Sequence, residues 1–219
     1  MFTGVVDPIG SGFIKSFAKP GGNVTGFQNY EFTMVGKWPQ LLRELAPRLE
    51  RIAFIYNPTT IPSGFLQSLE TVDPSMSVQI VQIPIHDAAE IDAAIAALGR
   101  ESGTGLVVLP DIFLVTNRAQ VIASASKYGL PTIYPASLWT KNDGLISYGP
   151  DTPDLFYRAA SYVDRILKGE IQLIFGSGSD QVRTDCQPQN RQGARHHSAA
   201  HAAWPRRGGD RITAICSGV

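Results

Sequence analysis

Short apolar runs that alternate with amphipathic segments constrain this chain more than any other feature. RIAFIYN (51–57), SVQIVQIPI (77–85), GLVVLPD (105–111), LPTIYPA (130–136) and GLISYGPD (144–151) are rich in branched and aromatic residues. Each is bounded by Gly, Pro, Asn or Asp, so each predicts a strand. Between them, KWPQLLRELAP (37–47) sets Leu41, Leu42 and Leu45 on one face and ends at Pro47. FLQSLETV (65–72), DAAEIDAAIAALGR (87–100), NRAQVIASASKYG (117–129) and DLFYRAASYVDRILKG (154–169) predict further helices. Asp87 followed by Glu90 reads as a capping box, and Asn117 as the cap of the helix it opens. Gly99, Gly129 and Gly169 close their helices. Ahead of this series, FTGVVD (2–7) predicts a strand and GFIKSFA (12–18) a helix that stops at Pro20-Gly21-Gly22. Buried strands alternating with helices require helices on both faces of a parallel sheet. The expected class is α/β, a doubly wound and mostly parallel sheet.

Composition narrows the function. The 219 residues are 43% apolar and 17% charged, ordinary for a globular chain. No apolar run approaches the roughly 20 residues of a membrane span, so no membrane insertion is expected. MFTGVVDPIG has no basic segment followed by an apolar stretch, which predicts a cytoplasmic location for the chain as written. The zero net charge conceals a break near residue 170. Residues 1–170 carry 13 Lys+Arg and 16 Asp+Glu, whereas 171–219 carry 6 Arg, no Lys and 3 Asp. Both cysteines (Cys186, Cys216) and three of the four histidines (His196, His197, His201) also fall in that last stretch. His197 and His201 have a zinc-like spacing, but without a paired C-x₂-C no metal site is expected. The Arg cluster at 206–211 reads as a basic tail and not as a nucleic-acid patch. The body holds one histidine, His86, and no G-x-S-x-G, Walker or H-E-x-x-H motif, so it reads as a binder that uses no cofactor.

In doubly wound sheets, ligands lie outside the carboxyl ends of the strands. Those ends are Asp7, Asn57, Asp111, Tyr134 and the stretch Tyr148–Asp151. Asp111 is placed to meet an α-ammonium group, or else to cap a helix. Asp151 has the same two readings. Asn57, Thr59 and Thr60 either hold a carboxylate or form a simple turn. Tyr134 and Tyr148 either stack on an aromatic ligand or pack in the core. Ser11, after Asp7, reads as a ligand loop; its G-x-G lacks the third glycine of a dinucleotide site. Trp38 and Trp139 read as packing residues at domain surfaces or cleft rims.

DPIGSGFIKSFAKPGGNVTGF (7–27), GLVVLPD (105–111), LPTIYP (130–135) and GLISYGPD with ASYVDRILKG (144–169) resemble ABC-transporter substrate-binding proteins of the tryptophan/tyrosine-binding type. The resemblance implies a type I periplasmic-binding fold of two Rossmann-like lobes closing on a small solute, an amino acid or similar compound. It also implies an extracytoplasmic setting and an ABC permease as partner. On this reading residues 1–27 are a remnant of the first lobe and the crossover, and 28–169 are a nearly complete second lobe. Gly26 and Gly169 would mark the hinge. A lone lobe offers half of the ligand contacts, so weak or absent affinity is expected, with homodimerisation through the exposed lobe surface. Residues 170–219 depart from the family pattern. Read one nucleotide later, degenerate codons for 180–197 admit TKFELIVNLKTAKALG, and those for 205–213 admit a stop. The tail therefore reads as out of frame after a slip between about Gly169 and Ser179, and as disordered. The same fold also serves ligand-responsive regulators, which leaves a sensory module or a non-functional fragment as alternatives. A Rossmann-like enzyme has no motif in its favour.

Overall fold

The computed structural model describes residues 1–17, 19–70, 72 and 77–169, with the backbone of 176–177, 182–186, 201–205 and 211–215. The chain opens with β1 (Phe2–Val5) and β2 (Gly26–Gln28), which pair in parallel with Phe2 opposite Gly26. The main sheet follows: β3 (Arg51–Tyr56), β4 (Gln79–Pro84), β5 (Thr104–Val108), β6 (Thr132–Tyr134) and β7 (Ile146–Pro150). These five strands are parallel, in the order β4-β3-β5-β6-β7. The chain thus winds outward from β3 to one side, then crosses to β5 and winds the other way. The topological switch lies between β3 and β5, where loops leave the sheet in opposite directions and open a crevice.

Two apolar layers close over this sheet because β3 and β5 alternate with period two. Ile52, Phe54, Tyr56, Val107 and Leu109 face α1 (Lys37–Leu45) and α2 (Ser63–Leu69), where Trp38, Leu42 and Phe65 are wholly buried. Ala53, Ile55, Leu106 and Val108 face α3 (Ala88–Arg100) and α5 (Arg118–Lys127), which contribute Ile91, Ile95 and Val121. Each fully buried Val, Leu, Ile or Phe of these layers stabilises by about 1.5–3 kcal/mol. The α3–α5 contact also carries a polar staple. Asp92 accepts from Ser124 Oγ (2.7 Å) and the Tyr128 hydroxyl (3.1 Å), with Lys127 Nζ at 3.5 Å.

A long helix, α7 (Thr152–Leu167), leaves the main sheet and returns to the β1–β2 pair. Leu155 and Ala159 pack on Phe27, and the Tyr162 ring meets Phe27 edge-on at 5.0 Å. This side holds much of the exposed apolar surface among the described residues, including Phe13, Phe156 and Leu167. Phe156, Val163 and Leu167 recur at helical spacing and form a stripe along the outer face of α7.

Several expectations require correction. Residues 12–17 form turns and not a helix, because Asp7 takes the Gly10 amide (2.7 Å) and Gly12 adopts φ +74°. Asp87 caps α3 as expected, taking the amides of Ala89 and Glu90, but Glu90 reaches past it to the His86 amide (2.7 Å) and not to the Asp87 amide of a capping box. Asn117 stands at the N-cap of α5 as expected, but its side chain makes no cap bond; its Nδ2 donates to the Phe113 carbonyl of α4 (Ile112–Thr116). Gly99 lies inside α3, and the turn falls on Gly103 at φ +71°. The short helices α4 and α6 (Ser137–Thr140) were not foreseen. Trp38 and Trp139 are core residues, 0% and 1% exposed, and not rim residues. Gly169 follows α7 at φ +85°, as a closing glycine should. Gly26 sits inside β2, where a Cβ would lie 2.2 Å from the Phe2 carbonyl oxygen, so close strand approach requires a glycine there. The reading of 170–219 as an out-of-frame tail falls mostly outside the described residues. Its described backbone comprises β8 (Gly176–Ser177) beside β2, β9 (Val182–Cys186) antiparallel to β7, and a pair formed by β10 (His201–Pro205) and β11 (Arg211–Ile215).

Candidate functional site: the carboxyl edge of the main sheet

The loops that follow β3 and β5 meet at the switch point. Asn57 directly follows β3, and Asp111 follows β5 after Pro110. Asp111 is 1% exposed and accepts three hydrogen bonds: Asn57 N–H to Oδ2 (2.6 Å), Thr60 Oγ1 to Oδ1 (2.6 Å) and Phe113 N–H to Oδ1 (2.7 Å). Of its two foreseen roles, the helix cap is observed. Asn57, 3% exposed, extends the network in the other direction. Its Oδ1 accepts from the Thr59 amide (2.9 Å) and hydroxyl (2.5 Å), and its Nδ2 donates to the His86 carbonyl after β4 (3.2 Å). One row of hydrogen bonds therefore crosses the ends of β5, β3 and β4. Asn57 and Asp111 face inward, and Thr59 and Thr60 stand exposed above them.

The other foreseen residues separate into edge and core. Tyr134 is 2% exposed and lies stacked on Trp139 with ring centroids 5.1 Å apart. Burial pushes its hydroxyl well above the usual tyrosine range. Tyr148 is half-buried against the α1 layer, and its carbonyl accepts from Trp38 Nε1 (2.8 Å). Asp151 caps α7 through the Asp154 amide (3.3 Å), with Pro153 in the first turn. Asp7 and Ser11 belong to the β1 side, where Asp7 shapes the turn and Ser11 is exposed. The structure thus brings Asn57, Thr59, Thr60 and Asp111 together, and sets Asp7 and Ser11 on the smaller sheet.

Three contributors escaped the sequence reading. Ile112 is 66% exposed and Leu138 43% exposed, in the short helices α4 and α6 that follow the neighbouring strands β5 and β6. Large apolar side chains standing above a sheet edge are a ready contact for an apolar ligand group. Tyr30 is the third. Its hydroxyl reaches the Pro135 carbonyl (3.0 Å) at the end of β6, and its ring meets Phe65 (6.3 Å). Burial raises its ionisation far above the ordinary value, so the hydroxyl acts as a fixed donor. At the same junction a Cβ on Gly149 would fall 1.8 Å from the Pro135 oxygen, so only glycine admits this approach of β7 to β6. Among the described residues no cluster of three His, Cys, Asp or Glu fits a metal, and no helix is long and apolar enough to cross a membrane.

Comparison with known proteins gives the family and the fold. The chain is 28% identical over 171 residues to a tyrosine-binding protein of Clostridioides difficile (strain R20291), covering 78% of this chain and 49% of that protein. Its fold matches a conserved domain protein from Vibrio cholerae at a TM-score of 0.69 and 22% identity, covering 85% of this chain and 62% of that one. It also matches an ABC domain from Streptococcus pneumoniae, solved in complex with L-Trp, at a TM-score of 0.65 and 21% identity over 80% of this chain and 60% of that one. The chain spans about half the length of the curated relative and about three fifths of these solved chains. A family model for ABC transporter substrate binding proteins matches residues 1–172, nearly the whole described body. The chain belongs to the ABC transporter substrate-binding protein family.

Proposed function

We propose that the carboxyl edge of the main sheet is one wall of a solute site for an aromatic amino acid, in an extracytoplasmic protein that delivers its ligand to an ABC permease. The observation that carries the reading is the pairing of two surface chemistries along the carboxyl edge of β3, β5 and β6. Thr59 and Thr60 after β3 offer hydroxyl oxygens, and Ile112 after β5 and Leu138 after β6 offer apolar contact. A solute with a polar head and an apolar ring meets both at once. The tyrosine-binding relative and the tryptophan-bound neighbour support this class of ligand. Asp151 and Tyr148 flank the wall on the β7 side, and Asp7 and Ser11 belong to the facing wall. Gly26 and Gly169 mark the two chain crossings about which the walls would close.

One wall supplies part of the contacts, so the isolated chain should bind L-tryptophan only weakly, near 1 mM or about 4 kcal/mol. The test is a titration of ¹⁵N-labelled chain with L-tryptophan, L-tyrosine and, as a polar control, L-aspartate. Shifts centred on 57–61, 111–113 and 136–138, extending at most to the flanking 148–151 and the facing 7–11, with the two aromatic amino acids support the reading. Shifts elsewhere, or equal shifts with aspartate, contradict it.

A further inference from the structure

We infer that Asp111 is a positioning residue: from inside the protein its carboxylate sets the shape of the loop after β3, and it makes no contact with the ligand. The inference rests on the proposed solute site at the carboxyl edge. Three donors converge on one carboxylate, and they come from two different connections. Asn57 N–H and Thr60 Oγ1 belong to the loop between β3 and α2, and Phe113 N–H belongs to the first turn of α4. Asp111 therefore spans the switch point by itself.

Charge accounting supports the assignment. An ionised carboxylate has no donor and about four acceptor directions, of which three are filled here. A carboxylate 1% exposed is tolerated because those bonds replace water. A ligand ammonium has no open route to the remaining direction unless the loop moves away. The carboxylate also fixes what faces outward. With Asn57 N–H held by Asp111, the Asn57 side chain is left to hold Thr59 and to reach His86. Thr59 and Thr60 are thereby oriented by bonds beneath them while their outer sides stay exposed. Nothing in the sequence alone joins Asp111 to Thr60, which lies 51 residues earlier.

Three full-chain variants test this. Asp111→Asn keeps one oxygen for Thr60 and Phe113 but turns an amide donor toward Asn57 N–H. Asp111→Ala removes all three acceptors. Ile95→Val, in the α3 layer, serves as a control for general destabilisation. Amide exchange in the free protein is the first readout. In Asp111→Asn the Asn57 amide should exchange at least about tenfold faster while Phe113 stays protected, and in Asp111→Ala both should lose protection. Unchanged exchange at Asn57 in both Asp111 variants overturns the inference. The second readout compares L-tryptophan with 3-indolepropionate, which lacks the ammonium group. A positioning residue weakens both ligands to the same extent, beyond any effect of Ile95→Val. Selective loss of tryptophan in Asp111→Asn means a direct ammonium contact and overturns the inference. If neither ligand binds the wild-type chain, the proposed solute site fails, and the exchange data alone decide the role of Asp111.

Discussion

Replacing Gly149 with alanine should be among the most damaging single-methyl changes available in this chain. The added Cβ would sit 1.8 Å from the Pro135 carbonyl oxygen and 2.8 Å from its carbon. Both are backbone atoms, so no rotamer change relieves the overlap, and β7 must withdraw from β6 by about 1.2 Å to reach even a 3.0 Å contact. The two strands share only the pairs Ile133–Ile146 and Tyr134–Ser147, which leaves little ladder to absorb the shift. Overpacking of this kind costs about 1–3 kcal/mol. The same Pro135 oxygen accepts the buried Tyr30 hydroxyl, and leaving that donor unpaired adds about 1–3 kcal/mol. The expected loss is about 2–6 kcal/mol, a fall in Tm of roughly 4–24 °C for a chain of this size. Urea unfolding followed by near-ultraviolet circular dichroism measures it. Gly22→Ala is the matched control, because Gly22 is exposed with nothing within 4 Å of its missing Cβ. A Gly149→Ala variant within about 0.5 kcal/mol of wild type, no worse than Gly22→Ala, would refute the close-approach argument.

Further consequences concern charge, capping and surface. The Ser124 hydrogen bond, helped by Tyr128 and Lys127, holds Asp92 below the ordinary carboxylate range. Its stabilisation is therefore present above the unfolded pKa and is lost as pH falls through the lower folded value. Unfolding free energies across the acid range should fall more steeply for wild type than for Asp92→Asn, and equal slopes would remove Asp92 from the account. Burial raises Tyr30 and Tyr134, so folding favours their neutral forms and loses that contribution as pH rises above the ordinary tyrosine value. Absorbance titration should show at least two of the seven tyrosines ionising only on alkaline unfolding. Glu90→Ala releases the His86 amide at the start of α3 and should cost about 1 kcal/mol, read from the urea midpoint. We also propose that the exposed α7 stripe is where a homodimer would form, so glutamate at Phe156, Val163 and Leu167 should leave the circular dichroism spectrum unchanged while removing the concentration dependence of wild type in sedimentation velocity. A wild-type chain that sediments as a monomer at every concentration contradicts that use of the α7 stripe.

The main sheet was legible because β3 to β7 are apolar runs bounded by turn residues, and the long helices keep their period. The same property hid which face each residue takes, because strands buried on both faces carry no polar alternation. Tyr134 stood at a strand end in the sequence, yet its ring points into the α3 and α5 layer. The helices α4 and α6 span five and four residues, too short for a period to appear. Residues 12–17 look helical by apolar content, but Asp7, Gly10 and Gly12 supply a cheaper set of turns. At the site, Asn57 and Asp111 were visible as polar ends of apolar strands. Their bond was not visible, because 54 residues and a crossover connection separate them. Ile112 and Leu138 carried no signal, since a single apolar residue after a strand reads as core until its exposure is known.

The account stands or falls on where an aromatic amino acid touches this chain. Chemical-shift mapping with L-tryptophan tests that most directly, with each perturbed amide assigned to a residue. The account predicts weak, saturable shifts at Asn57–Ile61, Asp111–Phe113 and Ala136–Leu138, with the α3 and α5 surface unmoved. Shifts centred on the opposite edge of the sheet, near Arg51, Gln79 and Thr104, would contradict it.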